Sequence, residues 1–193
     1  MEDKRIIKTK KNIKATLIDM LSEMPFEKVS VADLCRRGEI SRITFYTHYE
    51  DKYALVAEMY NDYLKEAYDI YHNLQEANNE KHDSVAEYMN LLKCVLDMFY
   101  NNINFFAHTS AEENPYLFTN FYNYVLKSVE EYIFRHPGLE PKYSPKQTAA
   151  FLCNGLFGVI NTCVHEGMKE REVREVTEDI YAIMLDSKLF SKK

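Results

Sequence analysis

The sequence has no tryptophan, and only five glycines and five prolines in 193 residues. So few turn-formers exclude a turn-rich β sandwich or barrel. The four cysteines, Cys35, Cys94, Cys153 and Cys163, form no CxxC pair and no metal-ligand spacing. They are expected to be small buried hydrophobes in a reducing compartment. The longest apolar passage, AAFLCNGLFGVINTCV, is shorter than a membrane span and is broken by two asparagines. The N-terminal MEDKRIIKTKKNIK is basic but lacks the apolar core of a secretory signal. A cytoplasmic chain with no membrane partner is therefore expected. Paired carboxylates, a nucleophile–base set, a phosphate loop and HExxH-type spacing are all missing too. No enzymatic activity, cofactor or metal is expected.

What is present favours helices. Hydrophobic residues make up 46% of the chain, enough for a sizeable core at this length. Lys, Glu, Leu, Met and Tyr recur at helical spacing, which predicts an all-α protein. The net charge of −6 is unevenly spread. Up to Lys52, eleven basic residues meet nine acidic ones; beyond it, thirteen meet twenty-one. A basic head on an acidic body would keep a polyanion at one end.

The periodicity predicts a first helix over about 4–24, stopped by Pro25, which lacks the N–H that continuation needs. SVAD, from Ser30 to Asp33, is an N-cap signal for a short helix to about Arg37. Gly38 ends that helix and Ser41 caps the next one, so two short helices flank a tight turn. This is helix-turn-helix spacing. A long helix follows from about Glu50 to Ala77, then segments over about 84–100, 103–109 and 115–135. HPGLEPKYSP reads as a loop, and SPKQ as a capping box with proline at the first helical position. That helix should run to about Glu166, with Gly167 at its C-terminal cap. A final helix carries Val173, Val176, Ile180 and Ile183.

The short stretch ISRITFYTHYEDK holds most of the functional signal. On a helical wheel Phe45 and Tyr49 share the inward face, while Ile43 and Thr47 point nearly opposite. The outward set offers a guanidinium, hydroxyls, a phenol, an imidazole and one branched apolar side chain. Such groups read base edges and hold phosphates. An ordinary solvated helix face favours Glu and Lys instead.

The run FEKVSVADLCRRGEISRITFYTHYEDKYAL, with TFYTHYEDK at its centre, resembles the DNA-binding domain of the TetR family of transcriptional regulators. The resemblance covers about residues 11–60, and the rest of the chain is similar in layout. It implies a three-helix DNA-binding domain over 1–52 and a larger helical bundle over 53–193, about nine helices in all. The bundle would bind an effector and dimerise. In the DNA-binding domain, Thr44, Tyr46, Lys52 and Ser30 would hold backbone phosphates, and Arg42, Ile43, Thr47 and His48 would read sequence. Two departures stand out. The family has Ala-Gly in the turn where this chain has Gly38-Glu39, and Gly or Pro where it has Ile43. Ile43 would either meet a thymine methyl group or pack on a neighbouring loop.

In the body, the helix over about 145–166 is apolar nearly all round, which suggests burial on two sides. A partner subunit could supply the second side, with Gly155 and Gly158 allowing close helix approach. Together with the last helix this predicts a homodimer through Phe151, Gly155, Phe157, Gly158, Ile160 and Ile180. A monomer's core helix is the other reading. The resemblance further implies a small-molecule effector pocket in the aromatic-rich region, with Asn104, Phe105, His108, Phe121 and Tyr122 as candidates. The expected function is a homodimeric regulator, a repressor by family habit, released from an inverted-repeat double-stranded operator by its effector. The alternative is a TetR-like interaction or ligand-binding module without DNA binding.

Overall fold

The computed structural model describes residues 4–81, 83–135 and 143–186. Most of the HPGLEPKYSP loop lies outside them. Among the described residues the protein is all-α, with nine α-helices and one 3-10 turn. They are α1 (Lys4–Leu21), the turn Phe26–Lys28, α2 (Val31–Arg37), α3 (Arg42–His48), α4 (Lys52–Asn78), α5 (Ser84–Asn101), α6 (Ile103–Phe106), α7 (Pro115–Arg135), α8 (Pro145–His165) and α9 (Glu170–Asp186).

The caps form as the sequence signals them. The Ser30 hydroxyl accepts from the Asp33 amide, and the Ser41 hydroxyl from the Thr44 amide. The Asp51 carboxylate accepts from the Ala54 amide at 2.7 Å, which places the start of α4 just after Asp51. Ser144 and Gln147 complete a capping box at α8. At its far end Gly167, at φ +73°, lets the Met168 amide reach back to the Cys163 carbonyl. The first helix ends at Leu21, before the expected 24. Pro25 disfavours helical geometry in the residue before it, so the chain turns out of the helix early.

By packing, the chain divides into two compact units. The head comprises residues up to Tyr63 together with Asn102–Thr119. The body comprises Leu64–Asn101 and the chain from Asn120 onward. The functional division at 52/53 is a separate matter and remains a proposal.

The head core is built from Ile13, Leu17, Met20, Phe26, Leu34, Phe45, Leu55, Met59 and Tyr60, all essentially inaccessible. The returning segment 102–119 is pinned by polar groups. The buried Asn114 accepts from the Phe26 amide at 2.6 Å and donates to the His108 carbonyl at 2.6 Å. Tyr116 stacks on the Phe26 ring, and the Tyr60 hydroxyl donates to the Leu117 carbonyl. In the body, α9 packs on α5 and α8 through Val173 and Thr177, both fully buried. Arg174 bridges Asp97 and Glu170 and lies over the Tyr100 ring. Residues Pro145–Val164 are long and apolar enough, by length and composition, to cross a membrane. In the structure this helix packs along α9. The four cysteines are free and buried.

The turn between α2 and α3 settles the displaced glycine. Gly38 has ordinary angles (φ −79°), and the left-handed residue is Glu39, at φ +51°. Glycine stands at 38 for space rather than for backbone freedom. A Cβ there would come within 3.1 Å of the Leu34 carbonyl and the Thr16 hydroxyl. The Asn12 amide also donates to the Gly38 carbonyl at 2.7 Å. The two positions should therefore respond oppositely. Glu39→Gly relieves left-handed strain of about 1–2 kcal/mol and gives back about 0.4–1 in unfolded-chain entropy, so it should raise stability slightly. Gly38→Ala overpacks the α1 contact and should lower stability by about 1 kcal/mol or more. Denaturant midpoints of the two variants check the signs.

Candidate nucleic-acid interface

The recognition candidate, α3, is held from behind. Phe45 is fully buried, and Tyr49 is 3% exposed. The Tyr49 hydroxyl donates to Glu58 of α4 at 3.0 Å. Glu58 also receives Lys10 at 2.9 Å and Lys14 at 2.6 Å, so two cations from α1 and a phenol from the end of α3 meet at one carboxylate. Lys14 reaches Asp62 as well. Burial alone would raise the Glu58 pKa, but the hydrogen bonds from Lys14, Lys10 and Tyr49 outweigh it and hold the carboxyl down at about 2.

The outer face of α3 is open. Ile43 is 82% exposed and Tyr46 57%. Arg42 and Thr47 are exposed, while Thr44 and His48 are half-buried. The Thr47 hydroxyl donates to the Ile43 carbonyl, and the Thr44 hydroxyl shares a hydrogen bond with Ser41. With so large an exposed fraction, Ile43 does not pack on a neighbouring loop.

Two of the expected phosphate holders are engaged elsewhere. Lys52 sends its ammonium to the carbonyls of Phe26 (2.8 Å), Glu27 (3.1 Å) and Val29 (2.8 Å). An ammonium has three N–H donors, so this geometry leaves none for a phosphate. It also lies over the Phe26 ring at 4.6 Å, and burial pushes its pKa down. In this structure Lys52 is a structural clasp. The Ser30 hydroxyl donates to the Asp33 carboxylate, which in turn holds Arg36, so a negative charge stands beside it.

The body assignments also shift. The five candidate pocket residues are divided between the two units. Asn104, Phe105 and His108 belong to the head, and Phe121 and Tyr122 to the body. Phe105 is head core against Tyr60 and Tyr63, Asn104 is exposed, and Phe121 packs on Phe157. The cavity lies elsewhere in the body, with a volume of about 180 Å³, between the later part of α4, α5 and α7. Its walls include Tyr68, Tyr71, Cys94, Met98, Val129 and Tyr132. Sequence reasoning missed it because a void depends on how three helices splay, not on aromatic density. The spacing of Tyr68, Tyr71 and His72 was the available clue.

Of the expected dimer residues, Ile160 is 3% exposed and belongs to the chain's own core. Phe157 turns inward onto Phe121 and Tyr122. Phe151 is 54% exposed, Gly158 is exposed, and Gly155 and Ile180 are half-buried. A Cβ at Gly155 or Gly158 would meet nothing within 4 Å, so neither glycine is required by packing within the chain.

No family model matches the sequence. The curated HTH-type transcriptional regulator YxbF of Bacillus subtilis is 31% identical over 58 residues, which are 30% of this chain and 15% of that protein. Solved structures agree over nearly the whole chain. One, assigned to the TetR family, comes from Syntrophomonas wolfei (TM-score 0.71, 16% identity, 94% of this chain and 96% of that one). Another is a TetR transcriptional regulator from Streptococcus agalactiae (0.57, 22%, 93% and 96%). A third is E. coli NemR in its reduced form (0.59, 17%, 96% and 99%). The fold is that of the TetR-family regulators. Within this TetR fold the Gly38-Glu39 turn and the exposed Ile43 are features of this chain's own sequence.

The two clasps generate one prediction each. Lys52→Ala strips a charged donor from three carbonyls and should destabilise the protein by about 2 kcal/mol. Glu58 acts through pH. Its folded pKa lies below the unfolded value of about 4.3, so its contribution is complete above that value and is lost as pH falls towards about 2. Glu58→Gln should therefore flatten the acid limb of a stability-against-pH curve between about 4.5 and 2. An acid limb unchanged in that variant would contradict the assignment.

Proposed function

We propose that this protein is a homodimeric, sequence-specific DNA-binding regulator whose grip on an inverted-repeat operator is changed by a small molecule in the body cavity. The observation that carries the reading is the face of α3: a seven-residue helix fixed by Phe45 and Tyr49, with Ile43, Tyr46, Arg42 and Thr47 turned to solvent. A helix anchored on one side and bearing mixed hydrogen-bonding and apolar groups on the other suits the major groove. Arg42, Ile43 and Thr47, with His48 at the edge, are the readers. Tyr46 and Thr44 hold phosphates. Lys52 and Ser30 support the reading frame and contribute no backbone contact. The basic arm of α1 adds charge through Lys8 and Lys11, both exposed.

Release follows from continuity of one element. The first residues of α4 belong to the head, and its later residues, including Tyr68 and Tyr71, line the body cavity. A ligand that displaces α4 would pull on Tyr49 through Glu58 and on the turn at Phe26–Val29 through Lys52. In a dimer this alters the spacing of two recognition helices, which B-DNA fixes at a multiple of one turn. Whether binding represses or activates depends on where the operator lies relative to the promoter.

Dimerisation rests on the outer face of α8, Phe151, Gly155 and Gly158, with Ile180 of α9. Because Phe151 is exposed within its own chain, Phe151→Glu should fold normally yet sediment as a monomer. An undisturbed dimer would move the interface elsewhere.

The groove assignment is tested by selecting duplexes from a random pool and titrating the best one by fluorescence anisotropy at fixed salt. Ile43→Ala and Arg42→Ala should each weaken the selected site by roughly 1–3 kcal/mol and leave a scrambled duplex almost unaffected. Tyr46→Phe should weaken both duplexes alike. Failure of the pool to yield any preferred sequence would favour an interaction module instead.

A further inference from the structure

We infer that α3 selects its half-site through the C5-methyl groups of two thymines, one met by Ile43 and the other by the γ-methyl of Thr47. The inference rests on the DNA-binding reading above and names the chemical group that reading leaves open. Ile43 is 82% exposed, and no large hydrophobic side chain among the described residues is more exposed. Leaving it in water forgoes the gain of burying a side chain of that size, so its place on the outer face suits a contact that is itself apolar. The helix that carries it is fixed from behind: Phe45 is fully buried, and the Tyr49 hydroxyl donates to Glu58. Ile43 is thus held out on an anchored helix and not on a loose loop.

Thr47 follows one turn later on the same side. Its hydroxyl donates to the Ile43 carbonyl at 2.8 Å, which uses the single hydrogen a hydroxyl has. The residue is exposed, so apart from the oxygen lone pairs the group it offers outward is its methyl. Residues four apart on a helix carry their Cβ atoms about 5–6 Å apart. Successive bases of a strand rise about 3.4 Å, so the pair spans about one to two base-pair steps. Of the four bases only thymine places a methyl group in the major groove, beside the donors and acceptors that all of them show there. Two aliphatic probes at this spacing match two thymines within about three successive base pairs of each half-site. Arg42, the residue before Ile43, remains the hydrogen-bonding reader.

The test removes the methyl groups first from the DNA and then from the protein. In the selected duplex each thymine is replaced in turn by deoxyuridine, which keeps every base-pairing and hydrogen-bonding atom. Binding of the intact protein is titrated by fluorescence anisotropy at fixed salt. Two positions per half-site should respond, each weakening binding about fourfold, the factor that burial of one methyl-sized group supplies. Ile43→Ala should erase the response at one of them and Thr47→Ser the response at the other. Thr47→Val, which removes the hydroxyl and keeps a methyl, should bind as the parent does and retain both responses. Ile43 and Thr47 are exposed, so none of these variants disturbs the core. Three results would overturn the inference and leave the DNA-binding reading standing. They are deoxyuridine silent at every position, responses that persist unchanged in Ile43→Ala and Thr47→Ser, and a loss in Thr47→Val as large as that in Thr47→Ser. A random pool that yields no preferred sequence would instead overturn the DNA-binding reading, and this inference with it.

Discussion

The ammonium of Lys52 holds the head together at the point where the chain has least regular structure. Pro25 is followed by a 3-10 turn whose carbonyls keep lone pairs to spare, even at Phe26, which already accepts from the Val29 amide. Lys52, the first residue of α4, gathers those of Phe26, Glu27 and Val29 onto one cation. The amide of Phe26 is taken by Asn114, its ring by Tyr116, and α2 begins three residues after Lys28. A charge spent in this way is worth more as a strut than as a surface contact. The carbonyls are partly buried, and a neutral side chain could not serve three of them at once.

A second joint lies on the other side of α3. Glu58 gathers Lys10, Lys14 and the Tyr49 hydroxyl, so α1, the end of α3 and α4 share one carboxylate. The two joints sit six residues apart on α4, less than two helical turns. Both joints are therefore carried by the first turns of one helix, as the proposed release mechanism requires.

Much of the fold was legible because its signals are local. The capping serines at 30, 41 and 144, the proline stop at 25 and the glycine cap at 167 each act over three or four residues, and the structure uses all of them. The inward pair Phe45 and Tyr49 followed from the 3.6-residue period. What failed depended on distant partners. Lys52 looked free because its acceptors are more than twenty residues away. Phe157 and Ile160 looked like interface residues because an all-round apolar helix does not reveal which side its own chain covers. Aromatic density marks packed core as readily as void, and Phe105 and Phe121 are core in different units. The turn at Gly38-Glu39 was legible as a departure but not as a solution: the clash with Thr16 that reserves position 38 for glycine requires α1 in place.

The clasps also change how the head looks to a polyelectrolyte. Of the basic side chains up to position 52, Lys10, Lys14, Arg36, Arg37 and Lys52 are all engaged with carboxylates or carbonyls of their own chain. Five of the eleven basic side chains there are thus spent internally, so fewer counterions would be displaced by a generic duplex than the composition implies. Under the proposed DNA-binding reading, such a head would hold bulk duplex less tightly than its residue count implies. Its residence at any site would then be governed by groove chemistry rather than by charge, so little of the protein would be sequestered on irrelevant sequence.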